Sequence, residues 1–368
     1  MSIDRRALLK AGVTLSAAAV LPNAARADSI FDPQPEAWRT FQITTRIEIA
    51  TDGGKRQAWV PIPSVNEPGW FKSLPSDWTG NGRVSQVRDP KYGAEMLHVV
   101  WADDENNPFV EVTSRIATRD RATDFATPGT PAPLSAADRA LYTQGTALIP
   151  IDGIVKATSD QIIADADAAS DLEKARAIYE WIVDNTFRDA KVHGCGIGDI
   201  AAMLKTGNLG GKCADINALY VGLARAVGLP ARDLYGIRVA PSKFGYQSLG
   251  AGTTITKAQH CRADVYLAKF GWVPVDAADV RKVALEEPPK NLAMDNPKVV
   301  AARKALFGAW EGNWLAYNCA HDVALVGSTG EKVAFLMYPQ AECANGRLDC
   351  LDPETFKYTI TAKELTAA

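Results

Sequence analysis

The sequence predicts an α+β fold in which a small all-β domain precedes a unit built from helices and an antiparallel sheet. Three observations carry this. Apolar residues alternate with polar ones over roughly residues 36–121; a proline-rich stretch interrupts the chain at 127–133; beyond it apolar residues recur at helical spacing before short strand-like runs return. With 47% hydrophobic and 23% charged residues over 368 positions, the chain can bury the cores of two compact units and lacks a disordered composition. Six cysteines in that length are too few for a disulfide-built scaffold, so the core must hold the fold.

Residues 1–27 read as an export signal. Arg5-Arg6 and Lys10 precede a mildly apolar run from Ala11 to Leu21, and Ala25-Arg26-Ala27 stands before Asp28. The pattern resembles a twin-arginine signal peptide, with Leu8 where Phe is usual, and the run is too short to span a bilayer. The expectation is a periplasmic protein with no membrane span in the mature chain. Removing the segment takes away four cations and one acid, so the net charge moves from −3 to −6, which argues against a nucleic-acid partner.

Residues 28–126 form the expected all-β domain. Phe41, Ile43, Ile47 and Ile49 alternate, Asp52-Gly53-Gly54 turns the chain, and Ala58 to Ile62 returns, which predicts a β-hairpin. A second pair is expected between Leu97, Val99, Trp101 and Val110, Val112, Ile116. Residues 127–133 contain three prolines, which lack the amide donor that strands and helices need, and read as a linker.

In the next unit, residues 134–290, Ser170 and Glu173 suit a capping box for a helix whose apolar face is Leu172, Ala175, Ile178, Tyr179 and Ile182. A short helix should run from Asp199 to about Lys205, stopped by Gly207. A third should begin at about Cys213, present Ile216, Leu219, Tyr220, Leu223 and Val227, and end at Gly228 and Pro230. Strand-like runs follow at Ala231 to Val239, Ala263 to Leu267 and Trp272 to Asp276. Residues 291–368 read as a C-terminal extension, with a helix near Val299 to Phe307 and strands near 322–325, 333–338 and 356–360, that completes the core.

The chemistry concentrates around Cys213. A cysteine in the first turn of a helix faces unpaired amides and the positive end of the dipole, both favouring thiolate, and Lys212 adds charge. Gly210 and Gly211 let the backbone turn sharply and leave room for a carbonyl, to whose developing oxyanion the Cys213 amide could donate. Such a nucleophile needs an imidazole and a carboxylate to orient it. His260 opens one strand and Asp276 closes the next, so adjacent antiparallel strands would bring them together.

Taken in order, Gly211-Lys212-Cys213-Ala214-Asp215, Leu229-Pro230-Ala231-Arg232, His260 with Asp264 and Tyr266, and Gly271-Trp272-Val273-Pro274-Val275-Asp276 resemble the transglutaminase-like superfamily over about residues 155–285. The resemblance implies a papain-like core with the cysteine helix packed on an antiparallel sheet. It also implies that Cys213 is the nucleophile, His260 the general base and acid, and Asp276 the orienting carboxylate. Arg262 departs from the family pattern, in which an aromatic residue commonly follows the histidine. The activity so implied is attack on an amide carbonyl through a thioester acyl-enzyme, with hydrolysis of a peptide or protein substrate ahead of transglutamination, and without a cofactor. The alternative is a catalytically silent periplasmic peptide-binding or assembly module on the same fold.

Taken singly, each residue has a plainer reading: Cys213 as a buried or bonded cysteine, His260 as a satisfied strand histidine, Asp276 as a cap. Asp215 and Asn217 read as first-turn structural residues, and Asp264 as a carboxylate supporting the site. His193 with Cys195 and His260 with Cys261 offer metal-ligand atoms, but no Cys-x-x-Cys spacing supports zinc, and no metal is expected. Cys343 and Cys350 flank Asn345-Gly346 and are expected to face each other in a disulfide. Trp310 and Trp314 read as core aromatics.

Overall fold

The computed structural model describes residues 30–49 and 54–365. The export signal and the Asp52-Gly53 part of the first turn lie outside them. The alternation at the N-terminus does produce strands: Arg39–Glu48 buries Phe41, Ile43, Thr45 and Ile47 on one face. The expected hairpin pairings, however, are not those formed. Arg39–Glu48 pairs antiparallel with Phe109–Thr118, while Arg56–Ile62 pairs with Glu95–Trp101. Each turn therefore carries the chain from one sheet to the other. The exchange lets both sheets put their apolar faces into one core, where Phe41, Ile43, Val110 and Ile116 meet Ala58, Val60, Leu97 and Val99.

The C-terminal extension divides between the two units. Trp314–Asn318 joins the sheet of the second unit, next to Ala231–Arg238. Tyr358–Leu365 instead forms the outer strand beside Arg39–Glu48, and Gln340–Cys343 pairs with Arg56–Ile62. The last strands therefore return to the N-terminal sandwich, whose two sheets need partners for edges that residues 39–62 leave open.

The helices of the second unit follow local sequence signals. Ser170 accepts from the Glu173 amide at 3.3 Å and Glu173 accepts from the Ser170 amide at 2.7 Å, closing a capping box on Asp171–Asn185. Asp199 caps Ile200–Thr206, and Gly207 ends it in the left-handed conformation. The helix Cys213–Ala226 is buried all round, not on one face alone, because it runs through the centre of the unit. One side lies on a four-stranded antiparallel sheet in the order Gly271–Val275, Gln259–Leu267, Ala231–Arg238, Trp314–Asn318. Helices Gly153–Asp165, Asp171–Asn185 and Ala277–Glu286 pack against it elsewhere. Among the described residues no helix is long and apolar enough to cross a membrane.

The proline-rich segment carries no regular structure, and the second unit holds it by two hydrogen bonds. The Gly129 amide donates to the Lys269 carbonyl and the Tyr266 hydroxyl to the Ala132 carbonyl, both at 2.8 Å. A second tie is electrostatic. Asp264, fully buried, accepts from Arg121 at 3.1 Å and from Arg232 at 2.9 Å, and Arg232 also reaches Glu67 at 2.7 Å. Arg121 and Glu67 come from the N-terminal unit, so Asp264 fastens the two units together and does not support the candidate site as the sequence suggested. Replacing Asp264 with Asn would leave two largely buried guanidinium groups short of their counter-charge and should cost about 3–5 kcal/mol. Urea unfolding would measure this, and a loss below about 1 kcal/mol, typical of an exposed ion pair, would contradict it.

Candidate active site

Cys213 is the first residue of its helix and is 3% exposed. The chain is aimed into that position by a short parallel pairing of Gly210–Gly211 with Phe187–Arg188. Gly211 is required because a Cβ there would come within 2.5 Å of the Asp215 Cβ. The Asp215 carboxylate accepts from the Lys212 amide at 2.9 Å, as a first-turn residue should, and also from the Ile197 and Gly198 amides at 2.9 Å each. It thereby clamps the loop that carries Cys195 onto the helix start, and the Ala214 amide donates to the Cys195 carbonyl at 2.9 Å.

Three sulfur atoms consequently meet: those of Cys195, Cys213 and Cys261 lie within 4.8 Å of one another, all buried. The neighbouring Cys195 and then Cys261 thiols favour a Cys213 thiolate, and against the opposing effect of burial the nearby His260 and its charge favour it further. Cys213 is held well below the ordinary thiol value of 9.0. The interaction with Cys213 raises Cys195, and burial raises Cys261, so these two stay protonated beside the Cys213 thiolate.

His260 Nε2 lies 2.7 Å from Asp276 Oδ2 and 3.4 Å from Asp279 Oδ1. Burial opposes its charged form, but the two carboxylates outweigh burial and the nearby Arg238, raising His260 to about 9. The ring is therefore an imidazolium at neutral pH. Its backbone carbonyl accepts from Trp314 Nε1 at 3.1 Å, which fixes the strand beneath the ring and gives one of the two core tryptophans a partner.

Asp276 makes two kinds of contact at once. Oδ2 faces His260, while Oδ1 accepts from the Asp279 amide at 3.1 Å and so caps the helix Ala277–Glu286. Burial and the neighbouring Asp279 push Asp276 up from 3.8. Asp279 is equally buried but is held well below 3.8 by Arg238, whose Nη2 is 2.6 Å from both of its oxygens, and by His260. Residues His260, Asp276 and Asp279 also bring donor atoms within 4.8 Å of one another, but the Arg238 guanidinium already occupies the Asp279 carboxylate.

Sequence reasoning missed Arg238, Asp279 and the part played by Asn217. Asn217 donates to Asp276 Oδ1 at 3.0 Å and to the Cys261 carbonyl at 2.9 Å, and accepts from the Ala278 amide at 3.2 Å. It is not a first-turn cap; it joins the cysteine helix to the histidine strand and to Asp276. Its place four residues after Cys213, on the same helical face, was the available signal. Arg262 is buried, with its guanidinium 4.8 Å from the Trp314 ring centroid and donating to the Glu311 carbonyl at 3.0 Å, so it supports the site from below. His193 lines the cavity beside Cys213 without joining His260. The expected Cys343–Cys350 disulfide is absent: all six cysteines are free thiols, and Cys343 Sγ turns to the Gly346 carbonyl.

Cys213 and His260 both line a cavity of about 500 Å³, to whose wall Tyr338, Pro353 and Tyr358 also contribute. A helix-borne cysteine against an antiparallel sheet that carries a buried His–Asp pair defines a transglutaminase-like fold. A family model for the transglutaminase-like superfamily matches residues 156–277. An uncharacterized protein of Haemophilus influenzae is 39% identical over 329 residues, spanning 85% of this chain and 87% of the relative. The chain belongs to the transglutaminase-like superfamily. Among solved structures, a candidate cysteine protease from Cytophaga hutchinsonii aligns over 90% of this chain and 99% of its own at 14% identity, with a TM-score of 0.47. The periplasmic domain of TgpA from Pseudomonas aeruginosa aligns over 68% and 90% at 14% identity, with a TM-score of 0.34.

The lowered thiol has a direct consequence for reactivity. Because the folded Cys213 value is depressed, its thiolate should persist as pH falls below the range of a free thiol, about 8.5. The rate of Cys213 alkylation by iodoacetamide against pH should therefore have its midpoint well below that range, and His260→Asn should move it upward. A wild-type midpoint at the free-thiol value would contradict the ion-pair geometry.

Proposed function

We propose that the protein is a cysteine-nucleophile enzyme acting on amide carbonyls, with Cys213 as nucleophile, His260 as proton carrier and Asp276 as the carboxylate that orients His260. The observation that carries this reading is the buried 2.7 Å His260–Asp276 hydrogen bond beside a thiol whose ionisation is shifted well downward. The Cys213 thiolate attacks the carbonyl carbon, a C–S bond forms, and the oxyanion is met by the Cys213 amide at the helix start. Collapse of the adduct breaks the C–N bond, and the imidazolium gives its proton to the leaving nitrogen. Water then attacks the thioester, His260 accepts its proton, and the acid and the thiolate are released. No cofactor enters these steps. Asn217 acts by positioning, since it ties Asp276 to the helix that bears the nucleophile.

Hydrolysis of a peptide or protein substrate is the favoured outcome, and transfer to an amine would use the same thioester. Incubating the protein with a peptide mixture in ¹⁸O-water containing dansylcadaverine separates the possibilities. The expected result is new carboxyl termini carrying ¹⁸O, abolished by Cys213→Ala. Dansyl incorporation in their place would mean transfer. Peptides retained but unchanged would mean the silent binding module and would overturn the enzymatic reading.

The location is proposed on the sequence alone: the twin-arginine segment, outside the described residues, directs export to the periplasm. Arg5→Lys with Arg6→Lys should retain the precursor inside the cell, because the receptor reads the guanidinium pair. Normal appearance of the mature protein in a periplasmic extract would contradict it.

A further inference from the structure

The cavity at Cys213 has a one-sided charge. Arg188, Lys212, Arg238, Lys257 and Lys282 all contribute to its wall, and among the described residues no Asp or Glu does. This is the opposite of the chain as a whole, whose net charge is −3. The counter-charges stand behind the wall and are shared. Glu286 serves both Arg188 and Lys282, the latter at 3.9 Å. Asp279 serves both Arg238 and His260. Lys257 meets Glu354 at 3.7 Å with both side chains exposed, a weak pairing. Asp276 offsets the imidazolium; with the Cys213 thiolate, the anions still fall one short of the cations, and among the described residues Lys212 is the wall cation with no acid in salt-bridge reach.

Lys282 shows the strain of this crowding. Its side chain is 18% exposed, and burial followed by the charge of Arg238 pushes its ammonium below the usual 10.5. An anion in the cavity would relieve it. The excess is also local. A neighbouring depression of about 640 Å³ shares Thr254, Thr256, Lys257, Pro353 and Tyr358 with the cavity, but there Glu48 and Glu354 interleave with Arg46 and Lys357.

We propose that the substrate is acidic: a peptide bearing a carboxylate close to the amide that Cys213 attacks, held by Lys212, Lys282 and Arg188. The proposal rests on Cys213 being the nucleophile. A cleft lined by one sign of charge raises the local concentration of the opposite charge and speeds its arrival. A carboxylate can also accept from more than one cationic donor at once.

The test compares two alkylating reagents of nearly equal size, iodoacetate with a carboxylate and iodoacetamide without one, on the full chain, with modification of Cys213 read by peptide mass mapping. The same thiolate attacks the carbon of both and displaces iodide, so the ratio of their rates cancels changes in ionisation and reports charge selection alone. Relative to the neutral thiol N-acetylcysteinamide, the ratio at Cys213 should favour iodoacetate by about tenfold or more at low salt and fall as salt is added. Lys282→Gln and Lys212→Gln should each lower it several-fold, with the iodoacetamide rate showing that the folded thiol is intact. A ratio equal to that of the reference thiol would overturn the acidic-substrate proposal and leave the nucleophile reading standing. A Cys213 inert to both reagents would overturn both. Protection from iodoacetamide by a blocked Glu-Glu dipeptide assigns the carboxylate to a side chain, and protection by an acetylated Gln-Gln dipeptide with a free end assigns it to a chain terminus. Equal protection by a fully neutral dipeptide would overturn the proposal.

Discussion

The hydrogen bond between His260 and Asp276 is the constraint on which the rest of the candidate site depends. It is buried, so each ionised group in it must be compensated by its neighbours. Asp276 finds compensation in Asn217, the Asp279 amide and the imidazolium; Asp279 finds it in Arg238. The chain of contacts therefore runs from the cysteine helix through Asn217 to the helix after Asp276, and through Arg238 into the strand Ala231–Arg238. These elements cannot shift independently without stranding a charge, which makes the arrangement rigid where proton transfer would need it to be.

Much of this was legible in residue order. The Ser170–Glu173 capping box, the Gly207 stop and the helix starting at Cys213 are written in contiguous residues, because caps and glycine stops act within one turn. The juxtaposition of His260 with Asp276 was legible for a similar reason: a short connection between two strands leaves antiparallel pairing as the simple solution, and Ala263 does pair with Val275.

What was not legible depends on long-range choices. The alternation in residues 41–62 and 97–116 marks which side chains face a core but not which strand lies alongside. Two sheets sharing one core can exchange partners at no cost to that pattern. The return of Tyr358–Leu365 to the first strand, some three hundred residues away, carries no local signal at all. Asp264 was misread because a carboxylate four residues from His260 is near it in sequence, whereas its partners Arg121 and Arg232 are near it only in space. The cationic wall belongs to the same class, since its residues come from separate segments and no run of the sequence is strongly basic.

The central claim is that the two carboxylates beneath His260 keep its ring charged where it faces the thiol. Nitrogen NMR of histidine-labelled protein measures this directly, and with four histidines in the chain the His260 signals can be assigned by comparison with a His260→Gln variant. The account predicts both ring nitrogens protonated at neutral pH, with loss of the proton near pH 9. A neutral ring at neutral pH, taking up its second proton only below the ordinary histidine value of about 6.5, would contradict it.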